Sequence, residues 1–466
     1  MLHYFRINDP YRLLGLLAVL LIIVLPILID PPGLTYPELK NFISGEKVRD
    51  GNSLYTEIID STAPLAAWFN AFLDLCFGRS VLARHIVAFL LIFLQASYLG
   101  IVFSSKKAFA ENTYIPSLVF AILFTFSFDT IALTPELVGS GFLLLALNSL
   151  FKQLEFREQG NESIFNLGLY IGIASLFALS FAIFIVACSL ILIFFTRSSP
   201  RQYFLMIFGF LLSHVLLLSG YYLMDGLKEI WQYFYLPNLT LHSERFMSNQ
   251  ALWALTALPL LFLLISLIMM NRDARLSKYQ TQLVQSMFFW MIFSVVQILL
   301  SKDFRPQSFI TLIPSLSFFI THFLLLVRRR KFAEMHIWLL IIGIVTMSYS
   351  ARYNLWDRIA YDSLLVPESK TTFEGKRVLT LDADYSFYRN NELASPFLNW
   401  NLSKEIFGEP GYYENVIVVY RGLNSDPPDI IRDKDDQLKP FFDQIPKLKG
   451  MYSRNGIYYV KNPVSN

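Results

Sequence analysis

Cysteine is nearly missing from this chain: 466 residues hold two, Cys76 and Cys188. Two thiols, one of them inside an apolar run, encode neither a disulfide framework nor a metal site. Charge is scarce as well. Asp, Glu, Lys and Arg together make 16% of the residues against 54% hydrophobic ones, and mean hydropathy is +0.45. That leaves too little polar surface for a soluble globule and predicts a polytopic membrane protein. Of six histidines, His85, His214 and His322 stand alone in apolar context. They read as hydrogen-bonded helix residues, and the polar partners that membrane acyltransfer would need are missing beside His214 and His322. A net charge of +3 follows from membrane topology and calls for no nucleic-acid partner. No internal repeat or low-complexity tract interrupts the pattern.

Apolar runs able to cross a hydrocarbon core of about 30 Å recur from residue 13 to residue 350, about eleven in all. The spacing places them at 13–29, 86–103, 115–128, 137–151, 166–179, 181–195, 203–223, 251–270, 284–301, 307–327 and 336–350. The run 166–195 is long for one span and short for two, and the basic residues arbitrate. With two passes there, Arg6 and Arg12, Lys106 and Lys107, Lys152 and Arg157, Arg197 and Arg201, Arg272, Arg275 and Lys278, and "RRRK" at 328–331 all fall on one side, as the positive-inside rule requires. The N-terminus is then cytoplasmic and the segment after residue 350 lies outside. "LPILIDPPG" offers no small-residue cleavage site, so the first span reads as a retained helix.

The expected architecture is an α-helical polytopic membrane domain over 1–350, with a first outer loop at 30–85, and an α/β extracytoplasmic domain over 351–466. In that tail "KRVLTLDADYSFYRNN" reads as a strand followed by a turn or helix, "NVIVVYRG" as a buried strand and "GMYSRNGIYYVKN" as a hairpin on an Asn-Gly turn. "DPPDIIRDKDDQLKPFFDQIPKLKG" reads as a loop leading into a short amphipathic helix, and Trp400 as an exposed ring. Asp382, Asp384, Tyr385, Tyr388 and Arg389 follow the first strand, where loops often bind ligands, a strand-capping turn being the ordinary alternative. The first outer loop carries "LTYPELKNFISGE", "LYTEIIDSTAPLAAWFNAF" and "FGRSVLARHI", whose spacing suggests amphipathic helices at the membrane surface.

These loop segments resemble the first outer loop of the GT-C superfamily of glycosyltransferases. The shared features are an acid soon after the first helix, the Leu-Tyr…Asp…Pro-Leu stretch, and "FGRS…R" entering the second helix. "SFDTIALTPELVGSGFLLLALNSLF" and the Gly-rich "NLGLYIGIASLFALSFAIFI" are similar to later parts of that fold. The resemblance implies an enzyme of a bacterial inner membrane, related to aminoarabinose and mannosyltransferases. Such an enzyme takes a sugar from a polyprenyl-phosphate carrier in the bilayer and transfers it to an envelope acceptor on the outer face.

Such a transfer needs a carboxylate as base and cations to hold the departing lipid phosphate. The resemblance sets Glu38 at the family's catalytic acid, with Pro37 replacing the first half of the usual acidic pair, and Asp60 at a second acidic position, with Pro64 and Leu65 as its Pro-Leu step. Glu57 precedes Asp60 by one helical turn if that piece is helical. The ordinary alternative for all three is a solvated acid or a helix cap. Asp129 and Glu136 bracket a short outer turn; with Asp60 they are candidates to hold a divalent cation or an acceptor hydroxyl, the alternative being plain interfacial acids. Arg84, Lys302 and Arg305 are the outer cations nearest the membrane, and the last two break the positive-inside pattern. Snorkelling, or pairing of the loop cations with Asp303 and of Arg84 with Asp60 or Asp74, is the alternative. His242 and Arg245 lie in "WQYFYLPNLTLHSERF", where sugar stacking and an interfacial aromatic belt predict the same composition.

Two functions stay open: the transferase, and a non-catalytic relative that assembles envelope components and docks an envelope protein through its tail. A transporter would show charges midway along several helices, and these charges are interfacial.

Overall fold

A computed structural model describes residues 1–155, 160–196, 198–240, 244–245, 247–301, 303–356, 364–367 and 373–463. Each apolar run predicted above coincides with helix. Eight helices among the described residues are long and apolar enough to cross a membrane: Arg12–Ile29, Val81–Ser105, Pro135–Glu155, Pro200–Leu223, Asn249–Asp273, Lys278–Leu300, Pro306–Leu326 and Arg330–Arg352. The chain is an integral membrane protein. The remaining runs form shorter pieces. Ile115–Phe124 is followed by a 3₁₀ turn at Phe128–Ile131, and the doubtful run 166–195 divides into Asn161–Ser175, the 3₁₀ turn Leu179–Ala182 and Ile183–Phe195.

The chain forms two compact units. The first comprises Met1–Pro32, Ser80–Leu218 and Leu241–Ser363; the second comprises Gly33–Arg79, Ser219–Thr240 and Leu364–Asn466. Within the first, small residues let backbones touch. A Cβ on Gly168 would run into the Met206 carbonyl, and one on Gly172 would lie 2.6 Å from the Phe210 carbonyl. This is the small-xxx-small packing that helices use where lipid supplies no hydrophobic drive.

The second unit joins the first outer loop to the tail. Its sheet runs in the order Glu392–Leu393, Arg377–Thr380, Ile430–Arg432, Tyr458–Lys461, Tyr452–Asn455. The first two pairings are parallel and the last two antiparallel. The Asn-Gly hairpin is present, with Gly456 at φ +64°, as a left-handed turn position favours. Two tail expectations are corrected. "NVIVVYRG" is helix, within Tyr413–Ser425, burying Val419, Gly422 and Leu423 on one face; three- and four-residue spacing outweighs the β-branched composition. The central strand is instead Ile430–Arg432, every residue of it buried, inside the segment read as a loop. Trp400 is half-buried, with its ring 6.0 Å from that of Phe407.

Backbone hydrogen bonds tie the loop to the tail. Tyr36 N donates to the Leu364 carbonyl at 2.9 Å and Val366 N to the Leu34 carbonyl at 2.8 Å. Further along, Ile59 N donates to Pro396 at 2.7 Å and Asn399 N to Ile59 at 3.0 Å.

Candidate functional site

The helix Tyr36–Arg49 starts with a capping box. Thr35 is the N-cap, and its side chain accepts from Glu38 N while Glu38 reaches back to Thr35. Glu38 Oε2 takes the Thr35 amide at 3.0 Å and hydroxyl at 2.7 Å, so this carboxylate serves the helix start. Glu57 is exposed and accepts from Ser53 N at 2.7 Å. The stretch between Asp50 and Ala63 is not helical: Leu54 and Ile58 form a β-bridge. Glu57 and Asp60 therefore do not share a helix face, because the backbone pairing of Ile59 with the tail holds that piece extended.

Asp60 is fully buried. Lys40 Nζ lies 2.8 Å from its Oδ1, and Asn399 Nδ2 donates to the same oxygen at 3.3 Å. Thr62 donates to Oδ2 with its amide, at 3.3 Å, and with its hydroxyl. A buried carboxylate survives ionised only when its charge is paired and its lone pairs are met, and here both conditions hold. The flanking backbone is pinned too. Asn238 Nδ2 donates to the Ser61 carbonyl at 3.0 Å, and the Tyr55 hydroxyl donates to the Thr62 carbonyl at 2.6 Å. Tyr55 sits at φ +68°, a left-handed conformation that costs a non-glycine residue roughly 1–2 kcal/mol. Tyr221 and Phe234 pack on its ring at centroid distances of 5.5 and 6.0 Å. Burial, then Tyr221 and Asp60, push its phenol well above the usual range, so it stays a donor.

Lys40, Asn399 and Asn238 were not among the sequence candidates. Lys40 carried a signal, being a cation inside an outer loop, but Asn238 and Asn399 are remote in sequence, Asn399 by 339 positions. Arg79 was also missed. It pairs with Glu46 and donates to the carbonyls of Tyr388, Arg389 and Asn391 at 2.9, 3.0 and 3.1 Å. Asp74 pairs with Arg49.

The acidic turn of the tail clamps its own sheet. Arg432 Nη2 lies 2.8 Å from both oxygens of Asp382 and from Asp384 Oδ2. Burial would raise both carboxyls, but the Arg432 bonds, with Lys434 at Asp382 and Ser386 at Asp384, hold them below the ordinary 3.8. A carboxyl held below its unfolded value adds stability above that value and loses it as the pH falls through the folded one. The tail of the wild type is therefore expected to keep its stability from neutrality down to about pH 4 and lose it below. In Arg432→Met that acid limb is expected to flatten, as read by near-ultraviolet circular dichroism. An unchanged limb would remove the clamp from the account.

In the first unit, Arg305 is 3% exposed and its Nη2 contacts Glu136 Oε1 and Oε2 at 3.2 and 3.3 Å. The residues after it turn as a 3₁₀ helix, Pro306–Leu312, and from there Gln307 donates to the Asp129 carbonyl. Asp129 is buried and accepts from Ser127 Oγ. Arg305 and Glu136 thus form an ion pair, and the turn that follows Arg305 reaches the Asp129 backbone through Gln307. Arg84 is buried in the first turn of Val81–Ser105. Arg245 lies in Glu244–Arg245, which pairs in parallel with Asp303–Phe304; His242 and Lys302 lie outside the described residues. Among the described residues no group of three or more His, Cys, Asp or Glu is arranged to hold a metal ion.

No protein-family model matches the chain, and no curated protein matches it in sequence. Solved structures do match. ArnT from Cupriavidus metallidurans bound to undecaprenyl phosphate superposes with a TM-score of 0.55, over 97% of this chain and 98% of that one, at 13% identity. The apo state of the same protein gives 0.54, over 96% and 97%, at 12% identity. The chain has the GT-C fold. Coverage of both chains nearly end to end means that the likeness includes the first loop and the tail sheet as well as the helices. At this identity the likeness is one of fold.

Proposed function

We infer that this protein is a membrane glycosyltransferase that takes a sugar from a polyprenyl-phosphate carrier and passes it to an envelope acceptor. The observation that carries the reading is Asp60: a fully buried carboxylate, paired with Lys40, in the first loop of a GT-C fold. In the transfer, an acceptor hydroxyl attacks the anomeric carbon and the bond to the carrier phosphate breaks. The acceptor proton passes to Asp60, and the carrier leaves as a phosphate anion, for which Arg84 and Arg305 are the proposed cations. Asp60 can take the proton only if a present partner moves off. Lys40, 25% exposed, and Thr62 are the partners with room to do so. Glu38 and Glu57 hold local backbone in this reading. Asp129 and Glu136 set the charge around Arg305, and Lys302, His242 and Arg245 remain candidates for substrate contacts. We place the N-terminus in the cytoplasm and the second unit in the periplasm, following the positive-inside distribution.

The filled shell of Asp60 also favours a second reading, a non-catalytic assembly component. There Asp60 is a brace, and deleting the tail should release a co-purifying protein.

The decisive experiment is transfer from a polyprenyl-phosphate sugar by purified wild type and by Asp60→Asn, developed below. A second prediction concerns the donor. Arg305→Gln is expected to raise KM for the lipid about 10- to 100-fold, the range for losing a charged hydrogen bond, with kcat nearly kept. The neutral pair Glu136→Gln with Arg305→Gln should not restore it. If that pair does restore KM, Arg305 only neutralises Glu136.

A further inference from the structure

A second, independent site follows from the arginines that the positive-inside rule had absorbed. Topology explains why Arg6, Arg272, Arg275, Arg328 and Arg330 share one side of a membrane. It does not explain why three remote pieces of chain bring them around one hollow. They line a cleft of about 560 Å³ in the first unit, together with Asp273. Asp273 is spent on Arg272 at 2.9 Å, and Glu111 answers Arg6. Arg275, Arg328 and Arg330 form no ion pair among the described residues, although Asp273 also feels the charge of Arg328. Converging guanidiniums repel one another unless an anion joins them, and the guanidinium fork matches phosphate oxygens in pairs.

The walls choose the kind of anion. Leu325, Leu326 and Val327 form the apolar side of the same cleft, half-exposed at the end of the helix Pro306–Leu326. A ligand with phosphate at one end and hydrocarbon at the other satisfies both surfaces, as basic pockets at the ends of membrane helices do for anionic head groups. We propose that this cleft binds the phosphate head group of an anionic phospholipid, best one carrying two phosphates. In the orientation inferred above it belongs to the cytoplasmic leaflet.

The test uses full-length protein in detergent, titrated with micelles of cardiolipin in phosphatidylcholine, with phosphatidylcholine alone as blank and occupancy read by native mass spectrometry. Saturable binding is expected, weakened about 30-fold in Arg275→Gln with Arg328→Gln, the effect of two arginines at about fivefold each. Lys107→Gln with Arg201→Gln removes the same charge from outside the cleft and should leave binding within about threefold. Equal weakening in both pairs, or none in either, overturns the proposal. So does full displacement by inorganic pyrophosphate, which would make the ligand a soluble phosphate. On the wild type, which needs no variant to fold, a photoactivatable cardiolipin should label the peptide containing Leu325–Val327. Labelling confined to other peptides also overturns it.

Discussion

Asp60→Asn is expected to cut sugar transfer by at least about 100-fold, the lower end of what a positioned general base contributes. The substitution keeps the shape of the side chain and removes its charge, so Lys40, 2.8 Å away, loses its counter-ion. Breaking a buried pair from one side costs about 3–5 kcal/mol, although Lys40 is 25% exposed and can turn to water. A fall in activity could therefore come from lost stability alone. The double variant Lys40→Met with Asp60→Asn separates the two causes, because it removes both charges together. It should regain the melting temperature of the wild type and still fail to transfer sugar. Recovery of transfer along with stability would make Asp60 a brace and favour the assembly component. Transfer at the wild-type rate in Asp60→Asn itself would end the catalytic assignment.

Gly168→Leu is expected to prevent accumulation of folded protein. The clash at this position is with a backbone carbonyl, that of Met206, and no rotamer change relieves it. Overpacking a close-packed interior usually costs about 1–3 kcal/mol. Here the helix Asn161–Ser175 must also withdraw from Pro200–Leu223 along a seam shared by Gly172 and Gly209, so we expect at least about 3 kcal/mol, a large part of a typical margin of about 5–15. Gly220, on the second of these helices, has nothing within 4 Å of its would-be Cβ, and Gly220→Ala should cost no stability and add up to about 1 kcal/mol by helix propensity. Detergent-solubilised yield and fluorescence-detected size exclusion would compare the two. Equal yields would mean that the seam does not hold these helices.

The membrane helices were legible because spanning a hydrocarbon layer leaves a long apolar run for each of them. Pro64 carries a local signal of its own, since a missing N–H and a fixed φ suit the first helical turn, and it begins Pro64–Phe77. The tail was legible where a turn carries its own chemistry, as at Asn455–Gly456. It misled where composition and period disagree: Val416, Ile417, Val418 and Val419 favour strand by type, while Val419 and Leu423 are buried at helical spacing. The strand Ile430–Arg432 is too short to display a period at all. Around Asp60 the acid itself could be found, because the loop resembles a known one. Its partners could not. Lys40 required knowing that a helix and an extended segment of one loop fold back together, and Asn399 comes from the other end of the chain. Asp129 and Glu136 were proposed as a pair and Arg305 apart from them, and only the fold sets Arg305 on Glu136.

Asn399 and Asp60 are 339 positions apart, and this separation sets a clock on the protein's own manufacture. The loop leaves the ribosome early, yet neither the amide on Asp60 nor the backbone bonds at Ile59 can form until residues 396 to 399 have been made. At synthesis rates of about 5–20 residues per second, the wait is roughly 17 to 70 seconds. Throughout that time the helices can enter the bilayer while the carboxylate remains without its finished surroundings. A chain arrested before Pro396 would thus be unable to complete the pocket around Asp60, so a finished pocket marks a chain whose synthesis has passed Asn399.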